Sequence, residues 1–295
     1  MTTSHAAGPE GLGKRTLVLV DSGTTTTRVR LWHGGEVAES RVLGVGARDT
    51  VRAGTPKPLR AALAEGVADV LDAQAGLHPE AIVCSGMITS NVGLLEVPHV
   101  DAPAGLDEIS AAVSRRDHPE ISDLPMLFIP GVRRMPVSGD ITSLASADVL
   151  RGEEVECLGL TFLLDLDGPT VFLKFGSHHK AVDVDASARI MRSRTALTGE
   201  LFAALREHTI LRDSTILLPG EALDLEMAHH GLNAARAHGV GRALFLVRVG
   251  GQLGGYDPTQ MTSYLIGVLA STDLDLIRDA TESTIVLYGH ASFVS

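Results

Sequence analysis

Cysteine, lysine, excess positive charge and long apolar runs are all scarce in this chain, and each scarcity closes a class of explanation. Arg and Lys number 25 against 36 Asp and Glu, a net charge of −11, so no general affinity for nucleic acid or an anionic membrane is expected. The only cysteines are Cys84 and Cys157, each inside an apolar stretch. They form neither a disulfide framework nor a zinc cluster, and read as reduced core thiols of a cytoplasmic protein. Apolar runs such as Leu158–Leu164 stop at charges such as Asp165, far short of a bilayer span. Residues 1–15 are polar and small, lack the apolar segment of a secretory signal, and read as a disordered leader. No repeat at a solenoid period is present. What remains is a soluble chain of 295 residues, 44% hydrophobic, long enough for two lobes with a large buried core.

The most informative stretch is 16–32, TLVLVDSGTTTTRVRLW, in which an apolar strand meets an Asp, a Gly and four consecutive hydroxyls and then resumes as a strand. The first arm, Leu17–Val20, suits a buried strand; the second alternates Val29 and Leu31 with Arg28 and Arg30. Gly23 permits close backbone approach, and successive N–H groups beside Thr24, Thr25 and Thr26 make a concavity suited to phosphate. Asp21 could hold Mg²⁺ through water, because that ion favours carboxylate oxygen and keeps much of its hydration. A plain hairpin turn accounts for the same residues. A P-loop does not, since the G-x-x-x-x-G-K-[ST] spacing is missing and a strand follows where a P-loop has a helix.

Beyond the hairpin, residues 37–42 read as a third strand, and Leu59, Leu63, Val67, Val70 and Leu71 fall on one face of a helix. Residues 81–87 read as a short buried strand, Leu106, Ile109 and Val113 mark a helix, and 126–129 reads as a strand closed by Pro130-Gly131. Strands followed by alternating helices and strands indicate an α/β layer. Residues 147–165 read as one long helical segment with Arg151-Gly152-Glu153-Glu154 near its start. A second hairpin then appears: strand 170–175, turn Gly176-Ser177-His178-His179-Lys180, strand 181–184. Helices are expected over 198–211, 221–237 and 259–280, and a last strand over 284–288 enters Gly289-His290-Ala291-Ser292. Adjacent histidines such as His178-His179 or His229-His230 point apart and have no partner at ligand spacing, which argues against a metal.

Four further segments narrow the reading: Ser85-Gly86-Met87-Ile88-Thr89-Ser90-Asn91-Val92-Gly93, Leu150-Arg151-Gly152-Glu153-Glu154, Gly176-Ser177-His178-His179-Lys180 and Leu197-Thr198-Gly199-Glu200-Leu201. In this order, behind the opening hairpin, they resemble the 2-dehydro-3-deoxygalactonokinases, sugar kinases of the actin-like ATPase superfold. That resemblance implies an α/β, two-lobed, ribonuclease H-like fold. Residues 16–146 would form an N-terminal lobe and 147–295 a mainly helical second lobe. It implies transfer of the ATP γ-phosphoryl group to the terminal hydroxyl of 2-dehydro-3-deoxy-galactonate, a sugar acid of galactonate catabolism, with Mg²⁺. The family carries a Gly-rich adenosine-binding loop, a further strand and a closing helix after the strand matching 284–288, so the second lobe is expected to be truncated here.

Carried onto this chain, the resemblance makes Glu153 the general base, with Glu154 the alternative one residue on, and Asp21 the metal and catalytic carboxylate. Gly23, Thr24, Thr25, Thr26 and Arg28 in the first hairpin, and Gly176, Ser177, His178 and Lys180 in the second, would hold ATP. Lys180 is one of only four lysines, with Lys14, Lys57 and Lys174. Ser90, Asn91, Gly93, Arg151, Thr198 and Glu200 are the substrate-site candidates. A second copy of the chain stays open as a partner. Two other readings share the same hairpins: a kinase relic that binds a sugar acid without transferring phosphate, and an actin-fold kinase for another small acceptor.

Overall fold

The structure is a computed structural model, and it describes residues 15–218 and 223–289. The expected leader up to residue 14, the start of the helix expected at Glu221 and the segment His290-Ala291-Ser292 lie outside the described residues. The chain divides into two compact units. One comprises the residues up to Asp165 with Ala188–Ile190, and the other comprises Leu166–Ser187 with Met191 onward. The division thus falls after Asp165 and not at residue 146.

The first unit is built on a six-stranded sheet. β1 (Thr16–Ser22), β2 (Thr27–His33) and β3 (Glu36–Leu43) form an antiparallel meander, because the turns between them are short. Helices α1 (Ala47–Ala53) and α2 (Lys57–Asp72) follow, then β4 (Ile82–Gly86), which lies parallel to β1. The sheet order is β3-β2-β1-β4-β7-β6, with β6 (Ser114–Arg116) and β7 (Met126–Phe128) closing one side. Val18 and Val20 of β1 and Val29 and Leu31 of β2 are fully buried against Leu59, Leu63, Val67 and Val70, the apolar face of α2 read from its spacing. Cys84 lies in this core, and burial pushes its thiol pKa far up, so it is an inert packing group.

Three short strands, β5 (Val100–Asp101), β8 (Val132–Arg134) and β9 (Asp148–Leu150), make a separate small sheet in the same unit. This corrects the long helix expected over 147–165. β9 pairs antiparallel with β8, and α4 (Glu153–Leu163) begins only after Gly152, whose φ of +111° ends the extended segment. Helix α3 (Leu106–Ala111) stops before Val113, which leads into β6.

The second unit holds a four-stranded sheet of order β12-β11-β10-β13, with β10 (Thr170–Phe175), β11 (His179–Val184), β12 (Ile190–Ala196) and β13 (Thr284–Gly289). β10 and β11 are the expected hairpin, though β11 begins at His179, so His179 and Lys180 are strand residues. β13 runs parallel to β10. The helices are α5 (Thr198–His208), α6 (Leu225–His238), α7 (Val240–Val249) and α8 (Pro258–Asp273). One helix was not expected and one is shorter than expected. Gly239, at φ +79°, separates α6 from a helix that periodicity did not reveal, and α8 ends at Asp273, followed by a 3₁₀ turn over Leu274–Ile277. No helix among the described residues is long and apolar enough to cross a membrane.

Candidate active site

In the first unit, the loop between β1 and β2 is held by its carbonyls. Gly23 N–H donates to Thr26 C=O at 2.8 Å and closes the turn. Gly23 C=O accepts from Ala47 N–H at 3.1 Å and Thr24 C=O accepts from Arg48 N–H at 2.9 Å, so the hairpin satisfies orphan amides in the first turn of α1. In a trans peptide the C=O and the next N–H point opposite ways, so the amides of Thr24 and Thr25 face away from α1. Both residues are exposed. Below the turn, Ser22 Oγ and Thr27 Oγ1 share a hydrogen bond of 2.9 Å, and Thr27 Oγ1 donates to Val45 C=O at 2.8 Å. Successive outward amides on a braced turn are an anion-binding geometry.

Asp21 stands one residue before this loop, at the carboxyl end of β1, and Arg28 Nη1 lies 3.4 Å from its Oδ2. Both side chains are partly exposed, so the pair adds little to stability. Parallel β4 ends beside it at Gly86. A Cβ there would stand 2.4 Å from Ser22 C=O and 3.3 Å from Asp21 Oδ1, and φ is +79°. Gly152 closes the same corner, since its Cβ would lie 3.2 Å from Gly86 Cα. Two bare glycines thus let the turn that opens α4 approach the ends of β1 and β4, where α/β sheets place ligands.

That turn carries the two carboxylates, and their environments differ. Glu153 is partly exposed, and its Oε2 accepts from the Arg151 backbone N–H at 3.1 Å. Glu154 is fully buried and accepts the Gly152 N–H at 2.9 and 2.7 Å. Burial, with the neighbouring Glu153 charge adding to it, pushes the Glu154 pKa up to about 8. Burial thus favours the protonated form of Glu154, and Glu153 is the more exposed of the two carboxylates.

The raised pKa has a thermodynamic consequence. The folded chain holds a proton on Glu154 that the unfolded chain releases near the ordinary carboxyl value of 4.5. Stability from this group is complete below that value and is lost as pH rises towards about 8. Glu154→Gln mimics the protonated form. Its thermal midpoint, followed between about pH 5 and about pH 8, should fall less with rising pH than that of the parent chain. Parallel curves for the two proteins would remove Glu154 as a buried titrating group.

Arg151, expected as a substrate ligand, is engaged within the unit. Its Nη1 donates to Thr89 C=O and Thr89 Oγ1, both at 2.6 Å, and its Nη2 donates to Val97 C=O at 2.9 Å and stands 3.1 Å from His99 Nε2. Burial pulls its pKa below the ordinary arginine value, with the Glu154 and Glu96 charges opposing. It ties the loop after β4 to the Gly152-Glu153 turn. In that loop Ser90 is buried, its Oγ donating to Met87 C=O at 2.7 Å, while Asn91 is exposed. Gly93 is needed by packing, since a Cβ would lie 2.3 Å from the carbonyls of Met87 and Ile88.

In the second unit the hairpin is mounted in the same way. Ser177 C=O accepts from Glu200 N–H at 2.9 Å, and a Cβ on Gly199 would lie 2.0 Å from Gly176 C=O, so both carbonyls face the start of α5. The amides of Ser177 and His178 consequently face away from it. His178 Nε2 pairs with Glu200 Oε1 at 3.1 Å, which makes Glu200 a hairpin partner. Thr198 is buried, with its hydroxyl donating to Asp273 Oδ1 at 2.5 Å. Lys180 is buried within β11. Asp273 is the residue that sequence reasoning missed, and no local pattern around it points to the hairpin.

The described residues contain no group of three or more His, Cys, Asp or Glu that could enclose a metal. A Mg²⁺ fits the remaining chemistry: the single carboxylate Asp21 beside the bare Gly86, with water and phosphate supplying other oxygens.

Two α/β units, each with a hairpin whose amides face outward and the first with a carboxylate turn beside it, have the architecture of the actin-like ATPase superfold. The chain belongs to the 2-keto-3-deoxy-galactonokinase family, whose description matches residues 21–295. It is similar to the 2-dehydro-3-deoxygalactonokinase of Escherichia coli strain K12, at 28% identity over 89% of this chain and 80% of that one. A protein of Rhizobium meliloti strain 1021 assigned the same name is 29% identical over 86% of this chain and 78% of its own. Among solved structures, a Sinorhizobium meliloti protein assigned as a 2-dehydro-3-deoxygalactonokinase shares the fold, with a TM-score of 0.72 and 24% identity, over 94% of this chain and 87% of that one.

Proposed function

We propose that this chain transfers the γ-phosphoryl group of ATP to the terminal hydroxyl of 2-dehydro-3-deoxy-D-galactonate, giving the 6-phosphate. Family membership implies ATP as co-substrate. The observation that carries the reading is the meeting of Asp21, Gly86 and the Gly152-Glu153 turn beside the outward amides of Thr24 and Thr25. Phosphoryl transfer demands positioning, charge neutralisation and a group to take the attacking proton; the outward amides answer to the first, a cation that Asp21 would hold to the second and Glu153 to the third.

Glu153 takes the proton from the acceptor hydroxyl, its orientation set by the Arg151 N–H. The amides of Thr24 and Thr25, with Gly23, Thr26 and Arg28 around them, bind phosphate oxygens; Gly176, Ser177 and His178 offer the same kind of group from the second hairpin. Asp21 would hold Mg²⁺, which when bound would supply charge neutralisation at the phosphates. Asn91, exposed at the carboxyl side of β4, hydrogen-bonds sugar hydroxyls.

The test is ADP release by the purified chain with Mg-ATP and 2-dehydro-3-deoxy-galactonate, beside its glucose-derived epimer and a reaction without acceptor. Acceptor-dependent ADP, with the galactonate-derived acid preferred, is expected. ADP release that ignores the acceptor, or none at all with sugar-acid binding retained by calorimetry, would overturn the assignment.

A further inference from the structure

The second hairpin is anchored by a buried polar junction that none of its own residues predicts. Asp273, the last residue of α8, is buried and uses both carboxylate oxygens. Its Oδ2 accepts from His179 Nδ1 at 2.7 Å and its Oδ1 from Thr198 Oγ1 at 2.5 Å. His179 is the first residue of β11 and fully buried, its ring edge-on to Phe175 with centroids 5.0 Å apart. Thr198 is the first residue of α5. One carboxylate therefore joins the end of one helix, the start of another and the return strand of the hairpin, all inside the second unit.

Its placement gives that junction a specific effect. His179 directly follows the turn residues Ser177 and His178. Thr198 directly precedes Gly199 and Glu200, which meet the carbonyls of Gly176 and Ser177. Fixing His179 and Thr198 to one rigid group sets the spacing between hairpin and helix start. That spacing decides which way the peptide planes after Gly176 and Ser177 turn, and hence where their N–H groups aim. In the first hairpin the corresponding bracing comes from the neutral Ser22, Thr27 and Val45 bonds. Here it comes from a desolvated carboxylate, whose hydrogen bonds are stronger and whose loss is costlier.

We propose that Asp273 is a positioning residue for nucleotide phosphate, acting through His179 and Thr198 on the amides of Ser177 and His178. The proposal rests on the kinase reading above, and its experiment therefore includes a readout that needs no turnover. Asp273→Ala should raise the KM for ATP about tenfold or more while leaving the KM for the sugar acid within about twofold. In hydrogen exchange on the unliganded protein, peptides spanning 176–180 and 198–201 should lose protection while β10 keeps it. If Asp273→Ala does not fold, His179→Phe removes the same anchor, retains a ring against Phe175, and must give the same two effects. A lower thermal midpoint with unchanged KM for ATP and unchanged exchange in 176–180 would make the junction purely structural and overturn the proposal. Should the parent chain not use ATP, the kinase reading fails, and the exchange result still decides whether Asp273 holds the hairpin.

Discussion

Glu153→Gln should lower kcat by about 10²–10⁴-fold with the KM values for ATP and sugar acid little changed. Glutamine retains an oxygen for the Arg151 N–H, so the turn that opens α4 keeps its shape. What disappears is a group able to take the attacking hydroxyl's proton. Glu154 is poorly placed to substitute, because it is fully buried and that burial pushes its pKa up to about 8. Steady-state kinetics on Glu153→Gln and Glu154→Gln side by side decide the matter. A large kcat loss confined to Glu154→Gln would move the base by one residue and refute the assignment made on exposure.

The second large effect is expected at Asp21. Asp21→Asn should reduce kcat/KM for ATP by about 10²–10³-fold and raise the Mg²⁺ concentration for half-maximal rate about tenfold. The substitution conserves volume beside Gly86, where Oδ1 lies against the position a Cβ would fill, so the corner keeps its packing. The exposed Arg28 contact at 3.4 Å is too weak for its loss to explain such a change. Mg²⁺ titration of ADP release distinguishes the two accounts: an unaltered Mg²⁺ requirement in a slower enzyme would remove Asp21 from the metal's surroundings.

Both carboxylates were legible as candidates because each sits in a local pattern. Asp21 ends an apolar strand before a Gly and a run of hydroxyls, and Glu153 follows a Gly at a helix start. Which of Glu153 and Glu154 is buried was not legible. It depends on which of two adjacent side chains points into the core, and the false expectation of a helix from 147 hid the strand β9 and the Gly152 turn that set this direction. Arg151 and Thr198 looked equally suited to a ligand in sequence. Their partners lie far along the chain, at Thr89 and Val97 for one and at Asp273 for the other, so only folding could engage them. Lys180 drew interest as a rare cation in a turn, but the strand begins one residue earlier and carries it inward.

The sequence by itself determined the two hairpins, the apolar face of α2 and the family, because turn chemistry, side-chain periodicity and motif order act over a few residues at a time. Only the tertiary structure decided which carboxylate is buried, which arginine is a clamp and what anchors the second hairpin. Those outcomes follow from desolvation and from hydrogen bonds between residues as far apart as His179 and Asp273, and no local pattern encodes them.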